Sequence, residues 1–152
     1  MKPVPYNFPR LTIGIIYKDA AKAIDWLCDA FGFELRLKVE GEPGQILHSE
    51  LTYGDGVIMV SPEKHASPKH PWQAHMRSPK SLDGRSTQTI MMYVDNVDAH
   101  CAHARAHGAV IIDEPSIHDY GEDYWSDRSY GAMDLEGHLW WITERLRGPV
   151  RK

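Results

Sequence analysis

The sequence has few cysteines, no long apolar run and no excess of positive charge. The two cysteines in 152 residues, Cys28 and Cys101, are expected to be small buried thiols that pack on the inner faces of helices. The longest apolar run, 90–94, is far shorter than the roughly 20 residues that cross a bilayer. Lys and Arg number 17 against 21 Asp and Glu, which gives a net charge of −4 and disfavours sequence-independent binding of nucleic acid. The composition therefore predicts neither a nucleic-acid partner nor a membrane partner.

The chain start and the overall composition point to an ordinary cytoplasmic domain. Prolines at positions 3, 5 and 9 stand where a secretory signal peptide would need an apolar segment. Hydrophobic residues make up 42% and charged residues 25%, which is typical of a packed globular domain. A chain of this length buries roughly 70% of its unfolded surface, so it needs neither disulfides nor a structural metal to fold. We expect a single domain over residues 1–152, located in the cytoplasm.

The two halves of the chain repeat one pattern. The segment 17–19 (Tyr-Lys-Asp) opens a helical stretch that stops at Gly32, and 93–95 (Tyr-Val-Asp) opens another that stops at Gly108. Position 93 against 17 and position 108 against 32 give the same offset of 76 residues. In both halves an apolar run comes first, Asp stands at or next to the helix N-cap, and Gly supplies the left-handed residue that ends the helix.

Three strand-like runs follow each predicted helix. In the first half they are 33–39, 45–53 and 57–60, and in the second half 110–112, 128–133 and 138–143. Gly54-Asp55-Gly56 and Glu136-Gly137 mark the hairpins. Each half is therefore predicted to be a βαβββ module of an α+β protein. The modules cover about 10–60 and 88–145, and the proline-rich loop 61–87 joins them.

This duplicated module resembles the vicinal oxygen chelate superfamily, which includes glyoxalase I, bleomycin-resistance proteins and extradiol dioxygenases. The segments YVDNVDAH (93–100), ARAHGAVI (104–111) and DRSYGAMDLEGHLW (127–140) resemble a metal-poor, bleomycin-resistance-like branch, and the similarity covers about residues 10–145. The resemblance implies two tandem βαβββ modules whose open mixed sheets cup a cleft. The modules pair within one chain or between two, and a homodimer is the expected assembly.

The resemblance also implies where a metal would be held. Enzymes of the family bind a divalent ion with His, Glu or Gln from four strands, and the corresponding positions here are Thr12, Met59, Thr89 and Trp141. Hard divalent ions prefer imidazole and carboxylate ligands, which none of these residues offers. We therefore expect no metal and no other cofactor.

Aromatic residues point to a different use of the same cleft. Trp140 and Trp141 are consecutive on a predicted strand and must face opposite sides. The carried-over ligand position assigns Trp141 to the cleft, where Met59, Met91 and Tyr93 would complete an apolar, aromatic cup. Such a surface suits a flat or apolar small molecule.

Five further residues are considered for the site. His48 and Glu50 alternate on one strand, so they would present an imidazole and a carboxylate on one face, which a metal could use only with a third ligand. Trp125 belongs to the late aromatic cluster. Asp127 and Arg128 form either a structural ion pair or a polar handle at the cleft mouth.

The sequence favours a metal-independent protein that binds a small aromatic or apolar molecule, for example to sequester a toxic compound. One alternative is a lyase, isomerase or dioxygenase of the same superfamily with a non-standard metal site around His48 and Glu50. A third is an interaction protein whose cleft binds no ligand. Whether the chain is an enzyme is left open by its residues, and no catalytic residue is assigned.

Overall fold

The computed structural model describes residues 2–4, 6 and 8–149, and the chain divides into two compact units, Met1–Asp83 and Gly84–Lys152. The first unit contains β1 (Ile13–Tyr17), α1 (Ala20–Phe31), β2 (Glu34–Glu40), β3 (Ile46–Tyr53) and β4 (Gly56–Pro62). The second contains β5 (Thr89–Tyr93), α2 (Val97–Ala106), β6 (Val110–Asp119), β7 (Ser126–Met133) and β8 (Leu139–Arg147). Among the described residues, none forms a helix long and apolar enough to cross a membrane.

Each unit builds one open, four-stranded mixed sheet. The strand order is β1-β4-β3-β2 in the first sheet and β5-β8-β7-β6 in the second. In both sheets the opening strand pairs parallel to the last strand of its unit, and the remaining pairs are antiparallel. The predicted α+β fold of two βαβββ modules is confirmed. The segment between them carries two short 3₁₀ helices, Pro71–His75 and Pro79–Ser81.

The two helices start at equivalent caps. The carboxylate of Asp19 accepts a hydrogen bond from the Lys22 amide at 3.0 Å, and the side chain of Asn96 accepts one from the Ala99 amide at 2.9 Å. The second cap is thus the residue after Asp95, so the caps lie 77 residues apart (96 against 19) instead of the predicted 76. Gly32 ends α1 with a φ of 77°, as expected for a left-handed C-cap residue.

The predicted apolar faces of the helices pack against the sheets. Ile24, Leu27 and Phe31 of α1 are buried, and so are the α2 residues at positions 97, 101 and 104. A wholly enclosed phenylalanine or leucine side chain contributes about 1.5–3 kcal/mol by leaving water. Both helices therefore cover one face of their own sheet, which leaves the opposite face of each sheet as the candidate binding surface.

Two strands continue at their C-terminal ends by four residues or more beyond the prediction. β6 was expected to end at Ile112 but continues to Asp119, and β8 was expected to end at Thr143 but continues to Arg147. The extension of β6 contains Pro115 and several acidic residues, which are poor strand formers. β6 lies at the edge of its sheet and shifts register on either side of Asp113, which allows a proline that a central strand would not accommodate.

Both cysteines are free thiols on the helices, and burial raises the pKa of each. A raised thiol pKa keeps the reactive thiolate scarce at neutral pH. We expect Cys28 and Cys101 of the folded protein to react with a disulfide reagent such as DTNB more slowly than free cysteine at pH 7–8. The rates should increase as the pH rises above 9. A time course with and without denaturant measures this, and a fast folded-state reaction would contradict the role of these thiols as packing groups.

Candidate functional site: the open face of the second sheet

The second sheet has one face against α2 and one face away from it, called here the open face. The helix face carries the fully buried Trp140, Ile142 and Tyr130, and the Tyr130 hydroxyl lies 2.7 Å from Nδ1 of His100 on α2. Because side chains alternate along a strand, the neighbouring residues point to the open face. The open-face residues of β5, β7 and β8 include Met91, Tyr93, Trp141, Thr143, Arg145, Asp127 and Gly131.

The two consecutive tryptophans take the predicted sides. Trp140 is 0% exposed, and its indole Nε1 donates a hydrogen bond to Oδ2 of the buried Asp134 at 3.0 Å. Trp141 is partly exposed on the open face. Its ring lies close over Gly131, where an added Cβ would stand 3.1 Å from the nearest indole carbon. The assignment of Trp140 to packing is confirmed, and a ligand contact by Trp141 stays a prediction.

Strand register confirms that Met59 and Trp141 occupy equivalent positions. In the first sheet Met59 pairs with Gly14, and in the second Trp141 pairs with Met91. Met59 is also partly exposed, between two buried neighbours, so it faces away from α1. Counted from the hairpin glycines, the two positions differ by one residue because the turn before β8 is longer than the two-residue turn before β4.

The residues at the family's four ligand positions do not fit a hard divalent ion. Thr12 and Thr89 supply hydroxyls, Met59 a thioether, and Trp141 an indole that has no free lone pair for a metal. The buried hydroxyl oxygen of Thr12 has no hydrogen-bond partner among the described residues. Within the same residues, three or more His, Cys, Asp or Glu side chains do not gather anywhere in a metal-binding arrangement.

Arg145 brings two of the predicted residues, Tyr93 and Trp125, into one cluster. Its guanidinium carbon lies 5.3 Å from the ring centroid of each. Its Nη2 donates to the Tyr93 hydroxyl at 2.6 Å, and its Nε donates to Asp127. The hydrogen bond to Asp127 is the main reason why the pKa of Arg145 is raised, so the guanidinium is permanently charged. This arrangement surrounds a cation with aromatic surface and one carboxylate.

Arg145 was not among the residues predicted from the sequence, because the predicted strand ended at Thr143. Alternation from Trp141 through Thr143 would have placed Arg145 on the open face had β8 been extended by four residues. The signal was weak, since the added segment Glu144-Arg-Leu-Arg147 is mostly charged. A charged strand end is easily mistaken for a loop.

Trp125 lies in the aromatic turn between β6 and β7. The centroid of its ring is 5.5 Å from that of Tyr120 and 6.1 Å from that of Tyr124. A backbone hydrogen bond of 2.9 Å from the Tyr120 amide to the Trp125 carbonyl closes the turn. Arg147 anchors its base by donating to Asp119 at 2.9 Å. The turn therefore holds a half-exposed indole beside Arg145.

Asp127 and Arg128 do not pair with each other, so the prediction of an ion pair between them is wrong. As neighbours on β7 they face opposite sides: Asp127 binds Arg145 on the open face, and Arg128 binds Asp98 of α2 with contacts of 2.8 and 2.9 Å. The hydrogen bond from Arg128 lowers the pKa of Asp98. Arg128 therefore ties the sheet to its helix, and the structure does not bring it to the open face with the other candidates.

The first sheet brings His48 and Glu50 together as predicted. His48 Nε2 lies 3.0 Å from Oε1 of Glu50, and Arg36 Nε lies 3.2 Å from the other carboxylate oxygen. Both oxygens of Glu50 therefore already have partners. The guanidinium of Arg36 also lies over the ring of Phe8, with 5.2 Å between its carbon and the ring centroid. A metal at this cluster would have to displace Arg36 and would still have only two protein donors.

Comparisons with known proteins agree with this architecture. The chain is 29% identical over 141 residues to the uncharacterized protein Rv0887c of Mycobacterium tuberculosis, an alignment that covers 91% of this chain and 76% of that protein. The crystal structure of TioX from Micromonospora sp. ML1 superposes with a TM-score of 0.66 at 28% identity, over 91% of this chain and 99% of TioX. A superfamily member from Sphaerobacter thermophilus gives a TM-score of 0.63 at 16% identity, over 88% and 94% of the two chains, which shows the fold alone.

The family model for the glyoxalase, bleomycin resistance protein and dioxygenase superfamily matches residues 10–142. That span includes both βαβββ modules up to the middle of β8. It agrees with the range of about 10–145 over which the sequence resembled the vicinal oxygen chelate proteins. The chain therefore belongs to the glyoxalase/bleomycin resistance protein/dioxygenase superfamily.

Proposed function

We propose that this protein binds a flat, apolar or aromatic organic molecule without a metal ion, on the open face of its second sheet. The observation that carries the proposal is the set of large apolar side chains on that face. Met91 is 58% exposed and Tyr93 46% exposed, and Trp141 lies beside Met91 in the register of β5 and β8. Large apolar residues that lie side by side and exposed are typical of binding surfaces and uncommon elsewhere on a protein surface.

Sequestration is the role that fits this surface better than turnover. Asp127, the carboxylate of the Arg145 cluster, has both of its oxygens in contact with the Arg145 guanidinium. The ligand positions of the family's metal hold hydroxyl, thioether and indole groups, which supports binding by packing and hydrogen bonds alone. As the resemblance implies, we expect a homodimer. From the composition we expect a cytoplasmic protein with a small molecule as ligand and no nucleic-acid or membrane partner.

A binding titration with a simple flat probe tests the proposal. We expect 2-naphthamide to bind with 1:1 stoichiometry per chain in isothermal titration calorimetry, and to quench tryptophan fluorescence. The probe should be recovered chemically unchanged after prolonged incubation. If 2-naphthamide and its hydrocarbon analogue 2-methylnaphthalene both fail to bind, the proposed binding surface is wrong.

Metal independence gives a separate prediction. Protein purified without a histidine tag and dialysed should contain well under one equivalent of zinc, nickel, manganese or iron by elemental analysis. Treatment with EDTA should leave probe binding unchanged, and the protein should not isomerise the methylglyoxal–glutathione adduct. A stoichiometric ion that survives dialysis, together with loss of binding or activity on chelation, would favour the alternative of a metal-dependent enzyme.

A further inference from the structure

The hydrogen-bond donors of Arg145 are only partly used within the protein. A guanidinium has five N–H donors in a planar fork. Nε donates to Asp127, and Nη2 donates to the Tyr93 hydroxyl at 2.6 Å and approaches the second Asp127 oxygen at 3.4 Å. The two N–H groups of Nη1 have no acceptor among the described residues. The side chain is 37% exposed, so this edge of the guanidinium can be reached from solvent.

The protein holds this edge in a fixed position. The aromatic rings of Tyr93 and Trp125 flank the guanidinium, and the carboxylate of Asp127, a side chain that is largely buried, fixes its inner edge. A guanidinium that is stacked and hydrogen-bonded loses little further freedom when it binds another group. Arg145 is therefore prepared to donate to an acceptor that approaches along the open face.

Arg145 is bonded to a residue one row along the sheet from the apolar pair Met91–Trp141. The Met91–Trp141 pair forms one row across the sheet, and the next row of the same face contains Tyr93 and Thr143. Two residues along a strand span roughly 7 Å, which is close to the length of a bicyclic aromatic ring. A ring that lies on Met91 and Trp141 can thus carry a substituent as far as the Tyr93 hydroxyl, to which Arg145 is bonded.

The charges around Arg145 favour a neutral acceptor over an anion. Asp127 already neutralises the guanidinium, and Arg147 and Asp119 form a second neutral pair at the end of β8. The turn that carries Trp125 also contains Glu122 and Asp123, both exposed. The net local charge is therefore negative, which repels a carboxylate but leaves a carbonyl or amide oxygen free to accept a hydrogen bond.

We propose that Arg145 is a specificity-determining residue whose Nη1 donates a hydrogen bond to an uncharged oxygen of the flat ligand, so that the ligand class is aromatic carbonyl or amide compounds. The inference rests on the proposed function and names the polar half of the same site. A hydrogen bond from a charged donor changes affinity by about tenfold or more.

The test compares three probes that share one ring system. We expect the wild-type protein to bind 2-naphthamide about tenfold more tightly than 2-methylnaphthalene, which lacks an acceptor, and to bind 2-naphthoate no more tightly than the amide. Arg145→Met should abolish the advantage of the amide over the hydrocarbon. Arg105→Met is the matched control, because it removes an arginine of α2 that is also paired with a carboxylate, that of Glu114, and that lies outside the Arg145 cluster; it should keep the advantage.

A second variant distinguishes loss of the hydrogen bond from misfolding of Arg145→Met. Arg145→Met leaves Asp127 without its partner, whereas Arg145→Lys keeps a cation beside that carboxylate but lacks the second terminal nitrogen. The lysine variant should therefore fold and still lose the amide preference. Equal binding of amide and hydrocarbon by the wild type, an amide preference that survives both substitutions, or tighter binding of naphthoate would overturn the inference and leave the proposed function standing. Failure of every probe to bind the wild type would overturn both.

Discussion

Replacing Trp140 with alanine is expected to lower the free energy of unfolding by about 3–5 kcal/mol. The side chain is fully buried between the sheet and the elements on its helix face, so truncation leaves a cavity in the second unit. It also removes the donor for Asp134, which is itself buried and whose other oxygen accepts the backbone amides of Glu136, Gly137 and His138. One substitution therefore weakens both the core and the turn that sets the register of β8.

Urea denaturation followed by far-ultraviolet circular dichroism measures this effect without relying on tryptophan emission. Trp140→Phe separates its two causes, because it keeps most of the packing and loses the hydrogen bond to Asp134. The phenylalanine variant should lose about 1–3 kcal/mol, the range for a lost buried hydrogen bond to a charged group. A stability equal to wild type for Trp140→Ala would show that Trp140 is not enclosed in solution.

The sequence predicted those features that depend on local chemistry or on alternation. The helix caps and the apolar faces follow from residue type and from the 3.6-residue period. They lie where the pattern placed them, apart from one-residue shifts at both ends of α2, whose N-cap is Asn96 and whose C-cap is His107 instead of the predicted Gly108. The opposite orientations of Trp140 and Trp141 follow from the two-residue period of a strand. Such features need no knowledge of distant contacts.

The features that the sequence did not predict depend on partners far apart in the chain. On the open face Arg145 binds Asp127 and the hydroxyl of Tyr93, which precede it by 18 and 52 residues. On the helix face Arg128 binds Asp98, which lies 30 residues earlier. Composition and spacing do not show which of several carboxylates an arginine will select, so the polar half of the site became visible only in the structure.

The two sheets carry different side chains at equivalent positions, and this difference favours the second sheet as the ligand-binding one. Gly14 and Met59 of the first sheet correspond to Met91 and Trp141 of the second. A Cβ added at Gly14 would meet nothing within 4 Å, so the first sheet leaves space where the second presents a large apolar side chain. The ring surface that could stack on a flat molecule at this level therefore belongs to Trp141.

Replacing Trp141 with alanine is accordingly expected to weaken binding of 2-naphthamide by at least tenfold. A stacked indole contributes about 1.4 kcal/mol or more through contact area and ring geometry, and that free energy corresponds to a factor of ten in affinity. Stability should change far less than in Trp140→Ala, because the indole is only partly enclosed. The same substitution should remove most of the fluorescence quenching that the probe causes.

Trp72→Ala serves as the matched control for this loss of binding. Trp72 is an exposed tryptophan in the first 3₁₀ helix, outside both sheets, so its removal deletes the same chemical group without changing the open face. The control should bind 2-naphthamide like the wild type and show normal quenching. If Trp141→Ala also binds normally while remaining folded, the flat ligand does not stack on this indole, and Met91 and Tyr93 alone would have to account for any binding. If binding is lost only in Trp141→Ala, the residue that stands where the family's enzymes hold a metal ligand is the one that holds the organic molecule.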